Sequence, residues 1–165
     1  MEREEIKEAI YDFLQREKIL FKKKEHPPVF TVAEAKEYMN SQGGVENKNL
    51  FIRNDKKTAY YLLIMAGEKR LNINELRKEL GENKLTFGKP NELMEFLQTT
   101  PGSVSPFGLI FDSAASLTVL VDEDLLKHKK IGFHPNVNTE TLYVDMKGFT
   151  KFLERIENTV RFISV

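Results

Sequence analysis

Apolar residues recur at helical spacing in Ile6, Ala9, Ile10, Phe13 and Leu14, with acids and lysines between them. That period predicts an amphipathic helix from about residue 2 to 18. Residues 21–26 then read as a short strand, stopped by Pro27-Pro28. In Thr31-Val32-Ala33-Glu34 the hydroxyl and the carboxylate can satisfy each other's free backbone N–H groups, a capping box. It opens a predicted helix that buries Val32, Ala35 and Met39 and ends before Gly43-Gly44. Residues 48–53 and 58–65 are apolar or β-prone, and Asn54-Asp55-Lys56-Lys57 supplies the turn of a hairpin. The unbroken apolar run 60–65 predicts a strand covered on both faces. Asn72 caps a helix carrying Ile73, Leu76 and Leu80, and Gly81 stops it. Pro90 suits the first turn of a helix with Leu93, Phe96 and Leu97. Residues 99–106 form a polar loop. Strands are expected at 107–111, 117–121, 141–145 and 159–165, with a helix through Phe149, Phe152, Leu153 and Ile156 between the last two.

Helices and strands alternate without a regular βαβ rhythm. The expected fold is therefore mixed α/β, with a strongly curved mixed sheet and helices packed outside it. No repeat, low-complexity tract or linker divides the chain, so one domain is expected over residues 1–165. Apolar residues at 41% and charged residues at 30% match a globular chain. No apolar run approaches the roughly 20 residues of a membrane helix. The charged start Met1-Glu2-Arg3-Glu4-Glu5 lacks the apolar core of a signal peptide, which makes the cytoplasm the default expectation. Without cysteine there is neither a disulfide nor a thiolate zinc site. The formal net charge is zero, so bulk charge does not favour a nucleic-acid partner. Basic residues nevertheless cluster at Lys22-Lys23-Lys24, Lys69-Arg70, Arg77-Lys78 and Lys127 with Lys129-Lys130. Each can be plain solvated surface, but gripping one end of a nucleic acid takes only a few phosphate contacts.

Phosphate-loop, dinucleotide, zinc-protease and serine-hydrolase motifs are all missing, and the three histidines are scattered. Three segments could carry chemistry. Lys48, within Asn47-Lys48-Asn49-Leu50-Phe51, stands where an apolar strand begins; it is either at the mouth of a pocket or an ordinary strand-end lysine. Gly102-Ser103-Val104-Ser105-Pro106 can aim several backbone N–H groups at one carbonyl oxygen, or simply turn the chain. His134, in Gly132-Phe133-His134-Pro135-Asn136, is biased to extended backbone by the proline after it and is either a pocket residue or a structural one.

In this order the segments resemble the YbaK/prolyl-tRNA synthetase-associated family, including its stand-alone ProX-type (PrdX-type) deacylases. The likeness runs from Glu25-His26-Pro27-Pro28-Val29-Phe30-Thr31 through Lys48-Asn49-Leu50-Phe51 with Arg53, Gly102 to Leu109, and Val119 to Leu126, to Phe133-His134-Pro135-Asn136. The resemblance implies a mixed fold with a barrel-like sheet. It implies hydrolysis of the ester between an amino acid and the 3′-terminal adenosine of tRNA, with no cofactor and no metal. It makes Lys48 the essential lysine, Gly102 to Pro106 the G-x-x-x-P loop and His134 the pocket histidine, with Asn49 beside the lysine. The implied partner is aminoacylated tRNA, with prolyl-tRNA synthetase as a second candidate and no membrane. Arg77 and Lys78 are the candidates for the acceptor stem. A proline-shaped synthetase pocket rejects the smaller alanine by only about 1–3 kcal/mol per missing methylene. Alanine on tRNA for proline is therefore the expected substrate. Cysteine, serine or threonine esters are the alternatives, as is a tRNA- or amino-acid-binding regulator that has lost hydrolysis.

Overall fold

The computed structural model describes residues 1–28, Ala33 and 43–165. The expected capping box at Thr31 and the helix after it fall outside the described residues. Helix α1 (Arg3–Arg16) turns Ile6, Ile10 and Leu14 inward, as its period predicts. Strand β1 (Lys22–Glu25) follows, and then the hairpin of β2 (Asn47–Asn54) and β3 (Tyr60–Ala66). Asn54 closes that hairpin, its Oδ1 accepting from the N–H groups of Thr58 (2.9 Å) and Ala59 (3.1 Å). Helix α2 (Ile73–Leu80) has the expected ends: Asn72 accepts from the Glu75 N–H, and Gly81 takes the left-handed conformation at φ 70°. The order continues with β4 (Leu85–Phe87), α3 (Pro90–Leu97), short 3-10 helices at Pro101–Ser103 and Pro106–Phe111, and β5 (Leu117–Asp122). A 3-10 turn at Glu123–Lys127, then β6 (Lys130–Phe133), β7 (Glu140–Asp145), α4 (Met146–Arg155) and β8 (Val160–Ile163) complete it.

Two sheets result, ordered β4-β2-β3-β5-β8 and β1-β7-β6. In the larger one β3, β5 and β8 run parallel and β2 and β4 antiparallel to their neighbours. The smaller sheet is antiparallel throughout. A single parallel bridge, Val45 with Ile131, links them among the described residues. The mixed α/β expectation holds. The barrel-like part of that expectation is not seen among the described residues, where neither sheet closes on itself and one bridge between the two is not a ladder.

The expected strand at 107–111 is corrected: these residues form a 3-10 helix. Pro106 presets its first turn, and the Ser105 hydroxyl caps it by accepting from the Phe107 N–H at 3.1 Å. A short apolar run bounded by proline does not by itself distinguish a strand from a buried helical turn.

Alternation along β2 and β3 splits the core in two. Phe51, Leu62 and Ile64 join Ile6, Ile10, Val119, Val121, Phe133 and Phe149 on one face. Ile52, Leu63 and Met65 join Leu120 and Leu76 of α2 on the other. Each such apolar side chain contributes about 1.5–3 kcal/mol on full burial. Helix α1 is also fixed by charge. Glu140 of β7 is buried and accepts from the Lys7 ammonium at 2.6 Å and from the Tyr11 hydroxyl. Burial alone would raise this carboxyl, but those two hydrogen bonds outweigh it and hold it below its ordinary value.

Candidate functional site

Along β1, alternation sends Lys23 and Glu25 toward α1 and Lys22, Lys24 and the following His26 to the opposite face. The register confirms this: Lys24 lies across from Thr141, and the His26 N–H donates to the Thr139 carbonyl at 2.9 Å. The His26 ring reaches the Thr141 hydroxyl at 2.8 Å through Nε2 and the Pro27 carbonyl at 2.9 Å through Nδ1. A carbonyl only accepts, so Nδ1 donates to Pro27. Strand β6 ends beside them. Gly132 is required there, because a Cβ would sit 2.6 Å from the Tyr143 ring and 2.9 Å from the Thr141 methyl. Two residues on, the His134 ring lies 5.9 Å from that of His26, centroid to centroid. The structure thus joins two of the histidines that look scattered in sequence; the missing signal was β6, which the hydrophobic pattern does not show.

His134 donates through Nδ1 to the Glu140 carbonyl at 2.7 Å. Burial lowers its pKa most; the Glu140 hydrogen bond opposes this, and His26 adds a further lowering. The ring is therefore neutral at pH 7, with Nε2 as an acceptor that has no partner among the described residues.

The loop after His134 is tied to the loop before Pro106. Asn136 takes a left-handed backbone, φ 61°, and its amide donates to the carbonyls of Leu97 (2.8 Å) and Gln98 (3.1 Å) at the end of α3. From there the Thr99 hydroxyl donates to the Ser103 carbonyl at 3.0 Å, and the Ser103 N–H donates to the Thr100 carbonyl at 2.9 Å. The Ser103 N–H is therefore engaged, which leaves Gly102, Val104 and Ser105 as the candidate donors of this turn. Ser103, Ser105 and Pro106 are buried, Val104 is half-buried and Gly102 is exposed. Gly102 is not in the left-handed region, and an added Cβ would meet nothing within 4 Å. Its contribution is open space above the turn, not an unusual torsion angle. A cavity of about 160 Å³ lies beside Ser103, between Thr99 and Thr100 of one loop, Asn136 and Val137 of the other, and Met1, Arg3 and Ile6 at the start of the chain; His134, Gly102 and Lys48 do not line it.

Lys48 is not brought into this group. Alternation turns Asn47 and Asn49 toward the small sheet, where Asn47 donates to the Gly132 carbonyl at 3.1 Å. Asn49 donates to Asn47 at 3.0 Å, and its own Oδ1 is buried with no partner among the described residues. Lys48 points to the other face, where its ammonium donates to the Lys69 carbonyl. The turn bearing that carbonyl is anchored by the fully buried Asp122, which accepts from the Ala66 N–H and the Lys69 ammonium, each at 3.0 Å. Arg77 and Lys78 share this side, on α2; Arg77 donates to the Glu82 carbonyl at 3.2 Å and Lys78 is exposed. The larger cleft of about 610 Å³, between α1 and the loop after α4, contains none of these residues. Among the described residues no cluster of three His, Asp or Glu is placed to hold a metal ion, and no helix is long and apolar enough to cross a membrane.

The geometry can be set beside known proteins. A family model, the aminoacyl-tRNA editing domain, matches residues 26–152. The prolyl-tRNA editing protein ProX of Acetoanaerobium sticklandii is 30% identical over 159 residues, covering 96% of this chain and 97% of that protein. Prolyl-tRNA synthetase associated domain-containing protein 1 of Danio rerio is 32% identical over 162 residues, covering 97% of this chain and 88% of that one. Among solved structures, a candidate trans-editing enzyme for prolyl tRNA synthetase superposes with a TM-score of 0.74 at 20% identity, covering 97% of each chain, a likeness of fold. The matched region runs from His26 through β2 and both loops of the small cavity to α4, and so takes in every element described above that carries a site residue. This chain therefore belongs to the aminoacyl-tRNA editing domain family and is an aminoacyl-tRNA deacylase.

Proposed function

We propose that the chain acts in trans, on tRNA for proline that has been released with alanine attached, and hydrolyses the ester to free alanine and tRNA. The relative named a prolyl-tRNA editing protein, similar over nearly the full length of both chains, supports the proline assignment. The observation that carries the site is the Asn136 clamp: its amide ties the loop bearing His134 to the end of α3, from which the loop bearing Gly102 to Pro106 departs. Helix α1 lies before the matched region but is locked to β7 through Glu140, so we take the whole chain as one editing unit.

An aminoacyl ester is already activated, so the enzyme has to position it and stabilise the oxyanion. In this reading the N–H groups of Gly102, Val104 and Ser105 receive the carbonyl oxygen. Pro106 has no N–H and stiffens the turn, and Ser103 helps line the small cavity. Neutral His134 accepts through Nε2 from the ribose 2′-hydroxyl or from the attacking water. The Asn49 Oδ1, which has no partner among the described residues, offers an acceptor for the substrate's ammonium. Lys48 lies on the other face of β2, so its role requires its side chain to leave the Lys69 carbonyl and turn to an oxygen of the terminal nucleotide, where it supplies positive charge. Arg77 and Lys78 are the candidate contacts for the acceptor stem.

The test is a panel of tRNA for proline charged with alanine, cysteine, serine or threonine. Alanine is expected to turn over fastest, and Lys48→Ala to lower its rate at least about 100-fold while the protein stays folded. Faster cysteine, serine or threonine hydrolysis reassigns the substrate. Near-normal turnover by Lys48→Ala removes that residue from the mechanism, and binding without turnover favours the regulator.

A further inference from the structure

The three-lysine run at 22–24 is not accounted for by the chemistry above, and the structure separates its members. Lys23 points toward α1, where its ammonium lies 5.8 Å from the centre of the Tyr11 ring and 3.7 Å from Glu25. Lys22 and Lys24 point the other way. Both are exposed, and neither has an ion-pair partner among the described residues. Among the described residues they occupy an edge strand, with β7 the one neighbour of β1. On the same face, two residues beyond Lys24, comes His26, and His134 lies beside it. A rise of about 3.4 Å per residue sets the two lysines about 7 Å apart along a line that ends at the histidine pair.

We propose that Lys22 and Lys24 form a track for the phosphates of the single-stranded 3′ end of tRNA, leading the terminal aminoacyl-adenosine to His134. The proposal rests on the reading that His134 meets that adenosine. A row of cations at strand spacing follows an extended backbone without reading its bases, as grooves for single-stranded nucleic acid do. It also explains how a chain with no net charge can hold tRNA: the positive charge is local, on one open edge. The competing role for edge-strand lysines is to block pairing with other chains, and that role makes no demand on salt dependence.

The experiment measures binding of uncharged tRNA by the full chain across a salt series, so it does not require hydrolysis. Each phosphate contact with a single strand contributes about 0.7 to the slope of log affinity against log salt. Lys22→Ala/Lys24→Ala is expected to reduce the slope by about 1.4. Lys22→Arg/Lys24→Arg should retain it, and Lys23→Ala should leave it as in the unsubstituted protein. An unchanged slope in the double alanine variant overturns the track, whether or not that variant aggregates. An equal fall with Lys23→Ala also overturns it, because the effect would then be bulk charge. If the track holds but His134 substitutions leave deacylation untouched, the failure belongs to the proposed site and not to the lysines.

Discussion

His134 shows what a single residue owes to its surroundings. Its neutral form is fixed twice, by burial and by the Nδ1–H bond to the Glu140 carbonyl, which sets the tautomer. Burial depresses the folded pKa below 6.5, so the acceptor at Nε2 persists below that pH and disappears only on further acidification. After subtraction of spontaneous hydrolysis, the deacylation rate should show an acid limb with its midpoint below 6.5 that is missing in His134→Gln. A midpoint above 6.5 contradicts the assignment. The residue was legible in sequence as part of Phe133-His134-Pro135-Asn136, but its neighbour His26 was not: 107 residues lie between them, and the pairing of β1 and β6 on either side of β7 brings them together. Lys48 was legible as a strand-start lysine, yet the direction of its side chain depends on strand parity, which a one-residue uncertainty in the strand's start reverses.

At the scale of elements, what could be read was what local chemistry dictates. Asn72 and Gly81 bound α2, Asn54 closes the β2–β3 hairpin and Pro90 opens α3, because capping and turn geometry act within a few residues. What could not be read depends on distant partners. β4 and β6 are three and four residues long, too short for a period to show, and exist because β2 and β7 offer them ladders. One buried network joins these elements. Arg53 of β2 donates to Glu92 of α3 at 3.0 Å, the Tyr60 hydroxyl of β3 donates to the same carboxylate at 2.9 Å, and the Lys89 N–H donates to it at 3.0 Å. Burial would raise the Glu92 carboxyl, but these hydrogen bonds and the Arg53 charge outweigh it and hold the pKa at about 2. A carboxyl depressed on folding gives stability that is complete above its unfolded value and lost as pH falls through the folded one. Urea unfolding should therefore show the network's contribution fading between pH 4.5 and about 2, and Glu92→Gln should flatten that window. Glu92→Ala, which strands the buried Arg53, is expected to cost about 3–5 kcal/mol at pH 7. A loss under about 1 kcal/mol would show that solvent reaches the arginine.

For the whole molecule, the order of motifs along the chain proved more informative than its hydrophobic pattern. The pattern led to one curved sheet, because alternation within each strand says nothing about which strands share a ladder. The motifs, taken together, pointed to the editing family that the comparison over residues 26–152 shows. The molecular arrangement then assigns tasks to places. The small sheet holds His26 and His134, the clamped loops and the start of the chain line the small cavity, β1 offers a basic edge among the described residues, and the opposite face carries Lys48, Asp122 and α2. The central claim is that this arrangement is a sieve which accepts a short side chain and rejects the proline ring. Single-turnover hydrolysis of alanyl- and prolyl-tRNA for proline, side by side with one enzyme preparation, tests it most directly. The account predicts that the alanyl ester is cleaved on the order of 100-fold faster. Equal rates for the two esters, or faster loss of proline, would contradict it.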